Sequence, residues 1–109
     1  MSRLLFILIV FVHLSSPARA ADDCPAEGTQ RGVSGKIASV MQFSDYWMVS
    51  TEEMLLIASD CILMDIQGDG QIPAGCREGA SFSASGRIAY SLMTDEGYAG
   101  LWAESMSCF

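Results

Sequence analysis

The sequence predicts an all-β fold, one small domain of about five strands stapled by two disulfides. Three observations point there. Over residues 81–91, Phe82, Ala84, Gly86, Ile88 and Tyr90 alternate with small or polar side chains, the period of a strand with one buried face. An apolar run (Ile62, Leu63, Met64, Ile66) leads into residues 68–79, a connection of glycines and one proline that interrupts regular structure. Cys24, Cys61, Cys76 and Cys108 form an even set in a short chain whose start reads as an export signal.

Residues 1–20 carry that signal. Arg3 gives a basic start, residues 4–14 are apolar apart from His13, and Ser15-Ser16-Pro17 breaks the run. Ala18-Arg19-Ala20 then places small residues where a signal peptidase reads them, so cleavage after Ala20 is expected. The apolar run is too short to span a bilayer, which takes about 20 residues. No membrane span is expected after cleavage. Asp22 and Asp23, directly before Cys24, argue against a lipid-attachment site. The mature domain, residues 21–109, is expected in the periplasm or outside the cell.

Removing residues 1–20 takes away Arg3, Arg19 and His13. The balance of 6 Lys+Arg against 13 Asp+Glu becomes 4 against 13, so the net charge goes from −7 to −9. Without histidine the mature chain has no Ser-His or Cys-His pair and no imidazole metal ligand. What remains is enough for one domain but not for a large core. Four cysteines allow three pairings. The expected pairs are Cys61–Cys76, closing the central connection, and Cys24–Cys108, tying the termini together. A loop of about 15 residues closed in this way stabilises by about 3 kcal/mol in the chain-entropy model. No two cysteines have the close spacing of a zinc knuckle.

Residues 21–32 are polar and irregular. Residues 33–40 alternate and carry Gly35 where a strand often bends or bulges. Residues 42–45 form a turn, and Tyr46-Trp47-Met48-Val49-Ser50 is rich in strand formers. Residues 51–59 are ambiguous. Ser50-Thr51-Glu52-Glu53 fits a helix-capping box, but the segments on both sides favour a strand. Residues 61–66 form a strand with Ile62, Met64 and Ile66 expected on one face. Residues 94–97 are a turn, and residues 98–108 form the last strand, whose alternation slips near Glu104.

The order of these strands resembles an oligonucleotide/oligosaccharide-binding (OB) fold. The resemblance rests on Val33-Ser34-Gly35-Lys36-Ile37, on the Pro73-x-x-Cys76-x-x-Gly79-x-x-Phe82 connection into the strand through Ile88, and on the closing stretch from Leu101 to Cys108. It covers nearly all of the mature chain and is similar to the small exported OB domains of Gram-negative bacteria. It implies a five-stranded OB-type barrel. No strand presents the basic and aromatic residues together that nucleic-acid-binding members use. A shorter stretch, Ser83-Ala84-Ser85-Gly86-Arg87-Ile88-Ala89-Tyr90 with Trp102 beyond, is similar to the Ser-Ala-Ser-Gly…Tyr segment of periplasmic lysozyme inhibitors, with the tyrosine displaced. There the serine reaches into the lysozyme active site.

Residues 65–72 look at first like the start of a calcium-binding EF-hand loop. Such a loop needs a bidentate acid at its twelfth position, where this chain has Cys76, so a turn is the better reading and no metal or other cofactor is expected. The acid pairs Glu52-Glu53 and Asp95-Glu96 are adjacent in sequence, and neighbours on a strand point to opposite faces. They cannot flank one scissile bond, and no catalytic residue is expected. The negative charge repels nucleic acid and steers basic proteins. Phe43, Tyr46, Trp47, Tyr98 and Trp102 are core aromatics or a platform for a sugar. The expected function is a non-enzymatic exported binding module for a basic protein, a small ligand or a glycan. Its expected binding edge is Trp47, Asp65, Asp69, Glu78, Ser83, Ser85, Arg87 and Trp102. The alternatives are an inhibitor of a basic enzyme such as lysozyme, and a glycan-binding subunit of a toxin-like oligomer.

Overall fold

A computed structural model describes residues 24–109; the expected signal segment, residues 1–20, lies outside the described residues. The described chain is all β, in six strands: β1 (Gln30–Gln42), β2 (Tyr46–Thr51), β3 (Leu56–Ala58), β4 (Cys61–Asp69), β5 (Ser81–Ala89) and β6 (Tyr98–Cys108). Pairing runs β2-β1-β5-β6-β4, and a β2–β4 ladder joins the two ends. Five strands therefore close into an OB-type barrel. The β4–β6 ladder is parallel and the other four are antiparallel.

The sixth strand comes from the ambiguous segment. β3 pairs with the first residues of β4, on the edge that β2 occupies farther along. A helix there would leave the other edge of that part of β4 unpaired, and unpaired strand edges are unfavourable when covered by protein. Tertiary pairing overrides the capping box. Thr51 Oγ1 donates instead to the Glu53 carbonyl at 2.8 Å, and the chain bends at Glu52-Glu53.

Every barrel strand sends apolar side chains inward: Ile37 from β1, Val49 from β2, Ile66 from β4, Phe82 and Ile88 from β5, and Leu101 from β6. Fully burying one such side chain stabilises by about 1.5–3 kcal/mol. The alternation of β5 is as the sequence predicts. That of β4 is not. Leu63 pairs with Ala99 and Ile66 with Leu101, so β4 holds one more residue than β6 over this stretch. The bulge inverts the pattern, and Cys61 and Leu63, not Ile62 and Met64, share the buried side with Ile66. β6 carries the slip expected near Glu104: Ser85 pairs with Ser105 but Gly86 with Ala103.

The disulfides are Cys24–Cys61 and Cys76–Cys108, which corrects the expected Cys61–Cys76 and Cys24–Cys108 pairs. Cys61 begins β4, and the strand runs away from it for 9 residues, close to 30 Å at about 3.3 Å per residue. Cys76 follows at the far end, where β6 finishes, and a disulfide needs Cα atoms within about 7 Å. The observed pairs lie at 4.9 and 5.1 Å.

With a sequence separation of 32 residues for Cys76–Cys108, replacing both cysteines by serine should cost about 2–4 kcal/mol in urea unfolding. Peptide mapping of the oxidised protein should recover Cys76 joined to Cys108 and to no other cysteine. At Gly86 an added Cβ would lie 2.0 Å from the Trp102 carbonyl oxygen, whereas at Gly32 the nearest atom is 3.7 Å away. Gly86→Ala should cost about 1–3 kcal/mol and Gly32→Ala close to nothing, read by thermal unfolding.

Candidate functional site

β6 runs through the middle of the outer surface, between β5 and β4. Trp102 pairs with Arg87 on one side and Gln67 on the other. Leu101 before it is buried, and the Trp102 ring is half-buried on the outer face. The Arg87 guanidinium carbon lies 5.9 Å from the ring centroid. One of its nitrogens is 3.4 Å from Glu104 Oε2, with both side chains about half exposed (47% and 49%). A cation near a partly exposed ring contributes about 0.5–1 kcal/mol and an exposed ion pair about 0–1 kcal/mol. These contacts orient Arg87 rather than stabilise the fold.

Two hollows meet at Trp102. One, of about 420 Å³, is an open cleft lined by Asp69, Gln71, Pro73, Arg87 and Glu104 and by the edge of Trp47. The other, of about 190 Å³, lies between β4, β6 and the β5–β6 connection, with Asp65, Gln67, Tyr90 and Gly100 in its wall. A shallow groove adjoins the cleft through Ser105 and Met106 and is lined by Ser34, Ser83, Ser85 and Ser107. Ser85 and Ser105 hydroxyls are 3.0 Å apart there.

Of the expected binding edge, Asp69, Arg87, Trp47 and Trp102 therefore come together around one cleft. Asp65 faces the hollow on the other side of Trp102, and Ser83 and Ser85 line the adjoining groove. Glu78 is elsewhere, in a separate depression with Arg77 and Phe109. Trp47 is a core residue, 4% exposed, and its ring lies against Gly68, where an added Cβ would be 2.3 Å from Cζ2. The aromatic residues do not form one platform. Phe43 and Tyr46 stack on each other at the β1–β2 turn, centroids 4.5 Å apart, and Tyr98 opens β6 beside Ile62. Residues 65–69 are extended strand and not a calcium loop. Among the described residues no three His, Cys, Asp or Glu side chains converge on a metal position.

Sequence reasoning missed Gln42, Gln67 and Gly100. Gln42 Nε2 donates to the carbonyls of Phe43, Tyr46 and Gly70, and its Oε1 accepts from the Ile72 N–H at 2.8 Å. It thereby fixes the start of the loop that carries Gln71 and Pro73. Gly100 lies opposite the β4 bulge, and an added Cβ would sit 3.2 Å from Asp65 Oδ1. A glycine between Ala99 and Leu101 is the available signal, since glycine inside a strand marks close approach.

Asp65 is half-buried, and Gln67 Nε2 donates to its Oδ1 at 3.4 Å, a long contact. Burial strips water from the carboxylate and raises its pKa above the ordinary value, and the Gln67 hydrogen bond offsets part of that rise. Among the described residues the Arg87–Glu104 contact is the ion pair present, and no Lys or Arg reaches Asp65.

The comparisons with known proteins add no relative: no family model, curated protein or solved structure matches the chain significantly.

The raised pKa gives a pH prediction. Folded Asp65 holds its proton to higher pH than unfolded Asp65. Its contribution to stability is therefore complete below about pH 4 and is lost as pH rises through the raised value. Asp65→Asn cannot ionise and keeps an acceptor for Gln67. Its Tm should match that of the wild type below about pH 4 and exceed it at neutral pH. A wild type that is the more stable protein at neutral pH would show that the carboxylate is held by a charge partner after all.

Proposed function

We propose that this chain is a non-enzymatic exported binding domain whose partner surface is the outer face of β4, β6 and β5 around Trp102, and whose partner is basic. The observation that carries this reading is the position of Trp102 between two hollows, ringed by Asp65, Asp69 and Glu104 against the single cation Arg87. A partly exposed tryptophan between polar groups is the kind of side chain that dominates binding energy at protein interfaces. The excess of acid on the face matches the whole chain, with 13 Asp+Glu against 6 Lys+Arg, and such a field speeds encounters with cationic partners. Export is supported by the signal-like start and by two disulfides among the described residues. The narrower lysozyme-inhibitor reading draws support from Ser83 and Ser85, which face solvent on β5. Tyr90, the third residue of that resemblance, turns its hydroxyl to the Pro25 carbonyl and lies outside the serine groove.

The test is a titration of residues 21–109 with lysozyme as a basic protein and with a chito-oligosaccharide as a glycan, followed by backbone and indole chemical shifts. Lysozyme should move the signals of Arg87, Trp102 and Glu104. Trp102→Ala should weaken binding at least about tenfold while the fold survives. Shifts produced by the oligosaccharide alone would replace the basic protein by a glycan. Shifts that avoid the Trp102 face with both probes would sink the proposal.

A further inference from the structure

The smaller hollow is built differently from the cleft beside it. The bulge in β4 falls at Met64 and Asp65, opposite Gly100 of β6. A bulge re-aims the side chain it carries. Here it turns a carboxylate into the space that the missing side chain of Gly100 leaves open, 3.2 Å from where a Cβ would stand. Trp102 and Tyr90 wall the hollow, and Met64, 38% exposed, sits at its rim. A cationic neighbour would offset the partial desolvation of this acid, yet no Lys or Arg among the described residues pairs with Asp65.

We propose that this hollow is a socket for one primary ammonium group, presented by a lysine side chain of a partner protein or by a free alkylamine. This rests on the reading of the Trp102 face as a partner surface and names what that face recognises. The chemistry selects an ammonium among cations. Calcium takes six to eight oxygen ligands, and the hollow offers one carboxylate. A guanidinium binds best as a fork on both oxygens of an acid, and Asp65 Oδ1 already takes the Gln67 amide and abuts Gly100. That leaves the other oxygen for a compact point charge. The aromatic walls attract a cation through their ring quadrupoles, and the alkyl stem behind an ammonium can lie along Met64 and Trp102. At about 190 Å³ the hollow is suited to one side chain and not to a folded segment.

The experiment titrates residues 21–109 with n-butylammonium, with n-butanol as the neutral counterpart of similar shape, and with native and lysine-acetylated lysozyme. Butylammonium should give saturable shifts at Asp65, Gly100 and the Trp102 indole that butanol does not reproduce. Asp65→Asn should weaken them at least about tenfold, and Glu53→Gln, at the exposed bend between β2 and β3, should leave them unchanged. Loss of lysozyme binding on acetylation would assign the ammonium to a protein lysine. Butylammonium binding without any lysozyme binding would keep the socket, assign it to a free amine and refute the protein reading. If lysozyme binds at Trp102 while butylammonium leaves Asp65 unmoved, the socket is overturned and the surface reading stands. Equal effects of butanol, or full binding by Asp65→Asn, would also overturn it.

Discussion

The parallel pairing of β4 with β6 is the constraint on which the rest of the barrel depends. It brings the first residues of both strands to one end, Ile62 beside Tyr98, so both strands finish at the other. Two parallel strands cannot be joined by a tight hairpin and need a crossover. Here the crossover is β5 with its two connections, and β5 then pairs with β6 and β1 to close the sheet. The disulfides follow from the same geometry. Cys61 opens β4 and is tied to Cys24 at the near end. Cys108 ends β6 and is tied to Cys76 at the far end. Each staple holds one rim of the barrel.

Closing five strands forces irregularity, and the outer surface uses it. β1 leaves β5 for β2 where its register shifts between Ile37 and Ser39. The β4 and β6 bulges lie on either side of Trp102 and each carries an acid, Asp65 on β4 and Glu104 on β6. Glu104 is exposed and finds Arg87. Asp65 is recessed and, among the described residues, finds Gln67 alone. Two similar departures from the ladder thus put one carboxylate in a neutralised, solvated setting and the other in a desolvated one.

Much of the architecture was legible because alternation reports burial directly. β5 reads from its sequence since Phe82, Ala84, Gly86 and Ile88 keep one parity throughout. In β6 the failure of alternation near Glu104 was itself the mark of a bulge. β4 misled because nearly every residue of its first half is apolar, so nothing in the sequence shows that parity changes between Leu63 and Ile66. The disulfide pairing misled because separation along the chain is a poor guide when a strand lies between two cysteines. For the site, residue types were legible and their grouping was not. Asp69, Arg87 and Trp102 come from three strands or strand ends, and only the closed sheet places them around one cleft. Glu78 looked equivalent to Asp69 in sequence and was carried away by the turn at residues 77–80, where the Ala80 N–H donates to the Arg77 carbonyl.

Charge arithmetic explains why Asp65 stands alone. The described residues hold four cations: Arg31, Lys36, Arg77 and Arg87. Arg31 donates to the Ile57 and Gln30 carbonyls, and Arg87 serves Glu104 and Trp102. Lys36 lies opposite Ser81 on the β1–β5 ladder, and Arg77 lines the depression beside Glu78. None is placed to reach the β4 bulge. Most of the acids need no partner, because exposed carboxylates are well solvated by water. Asp65 differs in being desolvated with the long Gln67 hydrogen bond as partial compensation, so the folded domain carries a penalty at neutral pH that an amide in its place would avoid. Features of this kind persist where the surrounding structure fixes them, and they concentrate at binding sites. Here the fixing elements are a bulge and a glycine facing it across two strands. A cation delivered from outside would remove the penalty at the place where it arises, so the same group that weakens the free domain would strengthen its complex.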